Sequence, residues 1–253
     1  MTTVDASSRA VCIGTSGWHY QHWRGVFYPD GVAVRDWLSY YGRHFRCVEV
    51  NNSFYRFPSE RAIAGWLDHT PADFRFALKA NRAITHLARL RVRHQTLDHM
   101  IEVARMLGDR LLAVLFQLPP RWRKDAEQLR RFLERLPAGI DYVFEFRDRS
   151  WLDEEVYTLL RDYRVAFCQY ELAGFRTPLK VTSDLVYIRL HGPGAAYSGC
   201  YDERTLGEWA GRILAHRDAG RQVAIFFDND EAGHAVQNAR TLQQLLHVSA
   251  AAT

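Results

Sequence analysis

Six short runs along the chain mix apolar side chains with charged or amide ones. They are Val48-Glu49-Val50-Asn51, Phe76-Ala77-Leu78-Lys79, Leu115-Phe116-Gln117, Phe144-Glu145-Phe146-Arg147, Ile188-Arg189-Leu190-His191 and Phe226-Phe227-Asp228. Successive side chains of a strand point to opposite faces. Phe144 and Phe146 therefore share one face, and Glu145 and Arg147 share the other. Ile188 and Leu190 stand in the same way against Arg189 and His191, and Val48 and Val50 against Glu49 and Asn51. Parallel strands covered on both sides are normally almost wholly apolar, and a buried charge is costly unless it is paired or used. The pattern predicts a common interior that collects the polar set, and that interior is the candidate site.

Strand-like and helix-like stretches alternate from end to end. Strands are predicted over 11–14, 47–51, 74–79, 111–117, 142–147, 165–170, 186–191 and 223–228. Helices are predicted over 34–45, 60–69, 95–107, 126–136, 154–163, 203–219 and 232–247, with Ser59 as N-cap of the second. In the third helix, Leu97, Ile101, Ala104 and Leu107 form an apolar stripe. The crossover 174–184 reads as short and irregular. Eight strands alternating with helices in 253 residues predict an α/β fold, a TIM-like (β/α)8 barrel with an irregular crossover after the sixth strand. A doubly wound open sheet fits less well, because its edge strands should be less apolar than their neighbours. No linker, internal repeat or low-complexity stretch interrupts the pattern, so 1–253 is expected to be one domain with a ragged tail after Val248.

Composition narrows the class. The chain is 47% hydrophobic and 25% charged, which suits a globular protein with a large core. A formal net charge of +4 is too mild to imply a nucleic-acid partner by itself. Cys12, Cys47, Cys168 and Cys200 are widely spaced with no C-x-x-C pair, so they are expected to be reduced rather than a zinc or disulfide framework. Met1 to Ala10 is polar and lacks the apolar run of a signal peptide. No stretch approaches the ~20 apolar residues that span a bilayer. A cytoplasmic protein with no membrane partner is expected.

Several longer motifs recur in order. They include Ile13-Gly14-Thr15-Ser16-Gly17-Trp18, Phe27-Tyr28-Pro29, Val48-Glu49-Val50-Asn51-Asn52-Ser53-Phe54-Tyr55 and Phe74-Arg75-Phe76-Ala77-Leu78-Lys79. Phe116-Gln117-Leu118-Pro119-Pro120, Glu145-Phe146-Arg147, Tyr187-Ile188-Arg189-Leu190-His191-Gly192 and Phe227-Asp228-Asn229-Asp230 follow. Together they resemble the YecE-like family, domain of unknown function 72, over nearly the whole chain. The resemblance implies a TIM-barrel-like fold and assigns no chemistry. Members often carry an Asp after the sixth strand, where this chain reads Cys168-Gln169-Tyr170-Glu171, and His-Pro after the Glu-x-Arg, where it reads Asp148-Arg149.

In barrels of this type, ligands bind at the C-terminal ends of the strands. Glu49, Asn51, Lys79, Gln117, Glu145, Arg147, Arg189, His191 and Asp228 fall there. Glu49, Lys79, Glu145, His191 and Asp228 form a candidate catalytic acid/base set. Lys79 beside Arg147 or Arg189 would have a depressed pKa and could act as a base or form a Schiff base with a carbonyl substrate. The alternative is that it neutralises Glu49 or Glu145. Those two glutamates could form a glycosidase-type pair, although Arg147 and Lys79 would lower both pKa values. His191 with Glu49, Glu145 and Asp228 is a reasonable ligand set for a divalent metal, but three cations in the same pocket oppose it, and no cofactor is predicted.

The loop 191–199 is rich in glycine and follows the seventh predicted strand, where barrels commonly hold phosphate. Gly192, Gly194 and Tyr197, with Arg189, are candidate anion ligands there; a simple turn before a helix is the other reading. Trp18 and Tyr20 are candidate ring-stacking ligands among many rim aromatics. Asp228-Asn229-Asp230 fails as a calcium loop because position twelve is Ala239, and Asp230 reads better as a cap of the last helix. The function expected is a hydrolase or lyase acting on a small anionic ligand, phosphorylated or sugar-like and polyhydroxylated. The alternative is a nucleic-acid-binding protein or metal-assisted phosphodiesterase similar to endonuclease IV-type barrels, with Arg24, Arg56, Arg82 and Arg149 near the aromatic rim. No specific nucleic-acid motif is present.

Overall fold

A computed structural model describes residues 11–251; the polar stretch Met1 to Ala10 lies outside them. The strands are β1 (Val11–Thr15), β2 (Cys47–Val50), β3 (Arg75–Lys79), β4 (Leu111–Gln117), β5 (Tyr142–Glu145), β6 (Ala166–Leu172), β7 (Phe175–Arg176), β8 (Leu185–Leu190) and β9 (Gln222–Phe227). The helices are α1 (Trp37–His44), α2 (Glu60–Asp68), α3 (His94–Arg105), α4 (Ala126–Leu133), α5 (Glu154–Asp162), α6 (Glu203–Asp218) and α7 (His234–Ala251). A parallel ladder runs β1-β9-β8-β6-β5-β4-β3-β2. A parallel bridge between Ser16 and Glu49 brings β1 and β2 together. The result is the predicted TIM-like barrel.

The β1–β2 seam is closed by a side chain. The Tyr41 hydroxyl, carried on α1, accepts the Thr15 N–H at 2.9 Å and donates to the Cys47 carbonyl at 3.2 Å. It stands where a ladder hydrogen bond would otherwise be. Gly14 makes room for this: a Cβ there would lie 2.3 Å from the Cys47 carbonyl oxygen.

Local chemistry sets the helix starts. Ser59 accepts the Ala62 N–H, as its sequence position predicted. Asp125, Asp153 and Asp202 accept N–H groups from the first turns of α4, α5 and α6. The predicted stripe Leu97, Ile101, Ala104 and Leu107 is buried. Along the strands, Val48, Val50, Phe144, Phe146, Ile188 and Leu190 face the helices and belong to the main core. The opposite face forms a second cluster that includes Cys12, Cys47, Ala77, Leu115, Val143, Cys168 and Tyr187. This is the barrel interior.

Four local expectations change. The crossover after β6 lacks an α-helix, as predicted, but β6 also extends to Leu172 and turns back on β7. Ala173 (φ 50°) and Gly174 (φ 77°) are both left-handed, which is the backbone of a two-residue hairpin turn. The Thr177 and Thr182 hydroxyls then accept the Tyr170 and Phe167 N–H groups of β6. A 3-10 turn, Val34–Asp36, precedes α1, and a π-helical turn, Ala83–Leu87, follows β3. The last helix α7 begins at His234 and continues to Ala251, past Val248. Asp230 does not cap it: its carboxylate instead accepts from Trp23 Nε1 at 2.6 Å and pairs with His22 at 2.9 Å.

All four cysteines are free. No helix among the described residues is long and apolar enough to cross a membrane.

Candidate functional site

The strand ends bring the polar set to one mouth of the barrel. Arg189 on β8 lies at its centre and has 0% of its surface exposed. Its guanidinium reaches Glu49 Oε1 at 2.6 Å, Glu145 Oε2 at 2.6 Å and Asp228 Oδ2 at 3.1 Å. Burial works against that charge, but the three carboxylates outweigh it and hold the guanidinium protonated more firmly than usual. Glu49 on β2 also accepts from the Ser16 hydroxyl at 2.8 Å and the Tyr187 hydroxyl at 2.7 Å. Burial, followed by the Glu49 charge, pushes the Tyr187 phenol well above its usual range, so it stays a donor.

Glu145 on β5 is shared between Arg189 and Arg147. Burial would raise its pKa, yet Arg147, Arg189 and His191 hold it well below the usual carboxylate range. His191 meets Arg147 through Nε2 at 3.0 Å and Arg189 at 3.3 Å, while Nδ1 lies 2.9 Å from Asp228 Oδ2. A guanidinium can only donate, so Nε2 is the acceptor and Nδ1 donates to Asp228. Asp228 is pulled below its usual range against the effect of burial, first by that bond and then by Arg189.

Lys79, at the end of β3, is different. Its Nζ sits 4.6 Å from the centre of the Phe54 ring. It forms none of the ion pairs found among the described residues; Glu49 and Glu145 are neutralised by arginines instead. Burial, reinforced by Arg189, brings its pKa down from 10.5 to about 8 despite the three nearby acids.

The other predicted residues surround this layer. Gln117 is buried and pairs in register with Glu145. Asn51 donates to the Ser16 carbonyl at 3.3 Å, while its buried Oδ1 has no hydrogen-bond partner among the described residues. Tyr20 donates to the same carbonyl at 2.5 Å, and burial together with Asp228, Asp230 and Glu49 raises its phenol far above normal. Gly17, Trp18, Tyr20 and Asn51 line a cavity of about 60 Å³ at the mouth. Trp18 also packs edge-on against Trp66, and Tyr197 packs edge-on against His191.

The glycine-rich loop folds on itself. Gly192 (φ 120°) has no space for a Cβ, which would lie 2.4 Å from the carbonyls of both Ala195 and Ser198. Its N–H is taken by the Tyr201 hydroxyl at 2.9 Å, so it does not point at an anion as the sequence suggested. Gly194 lies exposed on the outer turn of the loop.

Ser16, Tyr187 and Phe54 were not anticipated as part of the site. Extending the β1 alternation through Cys12 and Gly14 places Ser16 inward, and Tyr187 shares the inward face of Arg189. Phe54 has no such periodic signal. Among the described residues, no three His, Cys, Asp or Glu side chains are grouped as a metal ion requires. The carboxylates converge on a guanidinium instead.

Residues 12–253 match the family described as "Protein of unknown function DUF72". The chain belongs to the DUF72 family. Among DUF72 relatives, the UPF0759 protein YunF of Bacillus subtilis (strain 168) is 24% identical over 94% of this chain and 95% of its own length. The UPF0759 protein YecE of Escherichia coli (strain K12) is 30% identical over 60% of this chain and 54% of its own. The crystal structure of a DUF72 family protein from Thermotoga maritima MSB8 superposes with a TM-score of 0.83 at 28% identity, covering 94% of this chain and 99% of the other. One from Enterococcus faecalis V583 gives 0.82 at 18% identity, covering 94% and 96%. The DUF72 barrel therefore spans the alternating elements read from the sequence.

Proposed function

We propose that the barrel mouth binds a small anionic, carbonyl-bearing ligand and that Lys79 is its reactive group, in a lyase-type reaction. The observation that carries this reading is the contrast between Lys79 and the arginines. Each guanidinium at the site is bound to a carboxylate, whereas the Lys79 amine faces an aromatic ring with a pKa of about 8. At neutral pH, roughly a tenth of such a lysine is free amine, enough for nucleophilic attack.

The Nζ lone pair would add to the carbonyl carbon, and the neutral carbinolamine, with its hydroxyl taking one proton from solvent, would lose water to leave a protonated imine. The water's oxygen comes from the carbonyl. His191, whose Nδ1 donates to Asp228 and whose Nε2 accepts from Arg147, orients that arginine. Arg147 is the cation best placed to meet an anionic substituent, since Arg189 has no exposed surface. Glu49 and Glu145 become positioning residues. A two-carboxylate hydrolytic mechanism needs one carboxyl with a raised pKa, and Glu145 is shifted the other way.

Borohydride trapping with pyruvate and dihydroxyacetone phosphate as probes tests the reading. We expect a mass increment on Lys79 whose formation rate rises with pH through about 8 and which Lys79→Met abolishes. Trapping on another lysine, or none with either probe, would remove Lys79 from the reaction.

A further inference from the structure

The loops that follow β3, β4 and β5 form one arc of the mouth, over residues 80–93, 118–125 and 146–153. They carry nine basic side chains against three acidic ones, whereas the whole chain has a net charge of only +4. The remainder of the molecule is therefore net negative, and the charge is concentrated on this arc. Loop 80–93 contains no acid at all. Arg91 pairs with Asp125, Lys124 with Asp153 and Glu155, and Arg147 with Glu145. Among the described residues, the exposed Arg82, Arg89, Arg93, Arg121, Arg123 and Arg149 have no ion-pair partner.

A second observation falls at the same place. Arg89, Leu90 and Arg121 hold left-handed backbone, with φ of 47°, 66° and 60°. Side chains other than glycine rarely adopt it, and such strain gathers at binding sites. Arg89 lines a cleft of about 170 Å³ with Leu87, Ala88, Arg91 and Trp122, and Leu90 and Arg121 are chain neighbours of its lining residues. A cleft that sets the exposed edge of Trp122 between two guanidiniums, beside a row of unpaired arginines, suits a chain that alternates phosphates with flat rings.

We infer that this arc is a binding surface for single-stranded nucleic acid, with the Trp122 cleft receiving a base and the surrounding arginines receiving phosphates. Arginine forks match phosphate oxygens in pairs, and their planes stack on bases. A duplex hides its bases, and an acidic peptide offers no regular ring for the cleft. The inference does not depend on Lys79 chemistry.

Fluorescence anisotropy with labelled oligothymidylate of about 20 nucleotides tests it across a salt series. Binding should weaken steeply with salt, and a duplex of equal length and polyglutamate should bind more weakly than the single strand. Arg89→Gly combined with Arg121→Gly removes two charges and relaxes two strained positions. That variant should melt higher than wild type yet bind at least about tenfold more weakly, with a log–log salt slope flatter by about 1.4. Arg204→Ser on α6 should leave binding unchanged, and so should Lys79→Met. No binding at low salt, equal or tighter binding of duplex or polyglutamate, or undiminished binding by the glycine variant would each overturn the inference.

Discussion

The two halves of the barrel interior are built on opposite principles. The lower half is filled by Cys12, Cys47, Ala77, Ala113, Leu115, Val143, Ala166 and Ala224, all uncharged and buried. The upper half holds Glu49, Glu145, Arg189 and His191, equally buried but polar or charged. Apolar packing stabilises through area removed from water, at roughly 25 cal/mol per Å². A buried ion network must first overcome desolvation, and replacing one by well-packed apolar groups is often neutral or stabilising. Stability alone therefore accounts for the lower half and not for the upper. The charged layer is held together by its own ion pairs, and the cation beside it that no carboxylate pairs with among the described residues is Lys79.

The sharpest test of that division is Arg189→Met. It leaves Glu49, Glu145 and part of Asp228 buried without their shared cation. We expect a loss of about 3–5 kcal/mol, read as a lower urea midpoint, together with loss of Lys79 trapping. An unchanged midpoint would mean that the network contributes nothing even when broken. Leu115→Ala, in the lower half, should cost about 2–4 kcal/mol. Its distinguishing feature is that probe trapping by the folded protein survives; loss of trapping would show that the halves are not separable.

The smallest effect concerns pH. Burial pushes Asp230 up to about 6 from an ordinary 3.8, with Asp228 adding to it against the Trp23 and His22 contacts. A folded pKa above the unfolded one means that the acid favours the fold when protonated. Its contribution is complete below about 3.8 and disappears as pH rises through about 6. Asp230→Asn keeps an acceptor for Trp23 and discards the charge. Relative to wild type it should gain stability between pH 5 and 7.5, by about 2 kcal/mol at most, and match it near pH 4 in thermal melts. A gain that is flat with pH would show that Asp230 does not titrate there.

Much of this arrangement was legible in the sequence because strand alternation is strictly two-fold. Once Phe144 and Phe146 point outward, Glu145 must point in, and the same holds for Arg189 beside Ile188 and Leu190. What alternation cannot give is depth along the barrel axis. Arg189 and Lys79 both read as inward cations, yet one is sunk among three acids and the other stands over a ring. The choice depends on side-chain reach and strand stagger, which no local pattern records. Asp230 shows a different limit. Its position suits a cap, but a partner 207 residues away in sequence, Trp23, claims the carboxylate. The Ala173-Gly174 turn was missed because one of its two left-handed residues is not a glycine.

The seam at Tyr41 bears on how the chain assembles. Since the continuous ladder of β1 is with β9, β1 emerges during synthesis long before its main neighbour. Contacts so distant in sequence are slow to form. In the meantime the α1 hydroxyl gives β1 a nearby attachment to β2. Tyr41→Phe should therefore leave a nascent chain with a loose leading strand, and refolding should slow more than the finished barrel weakens.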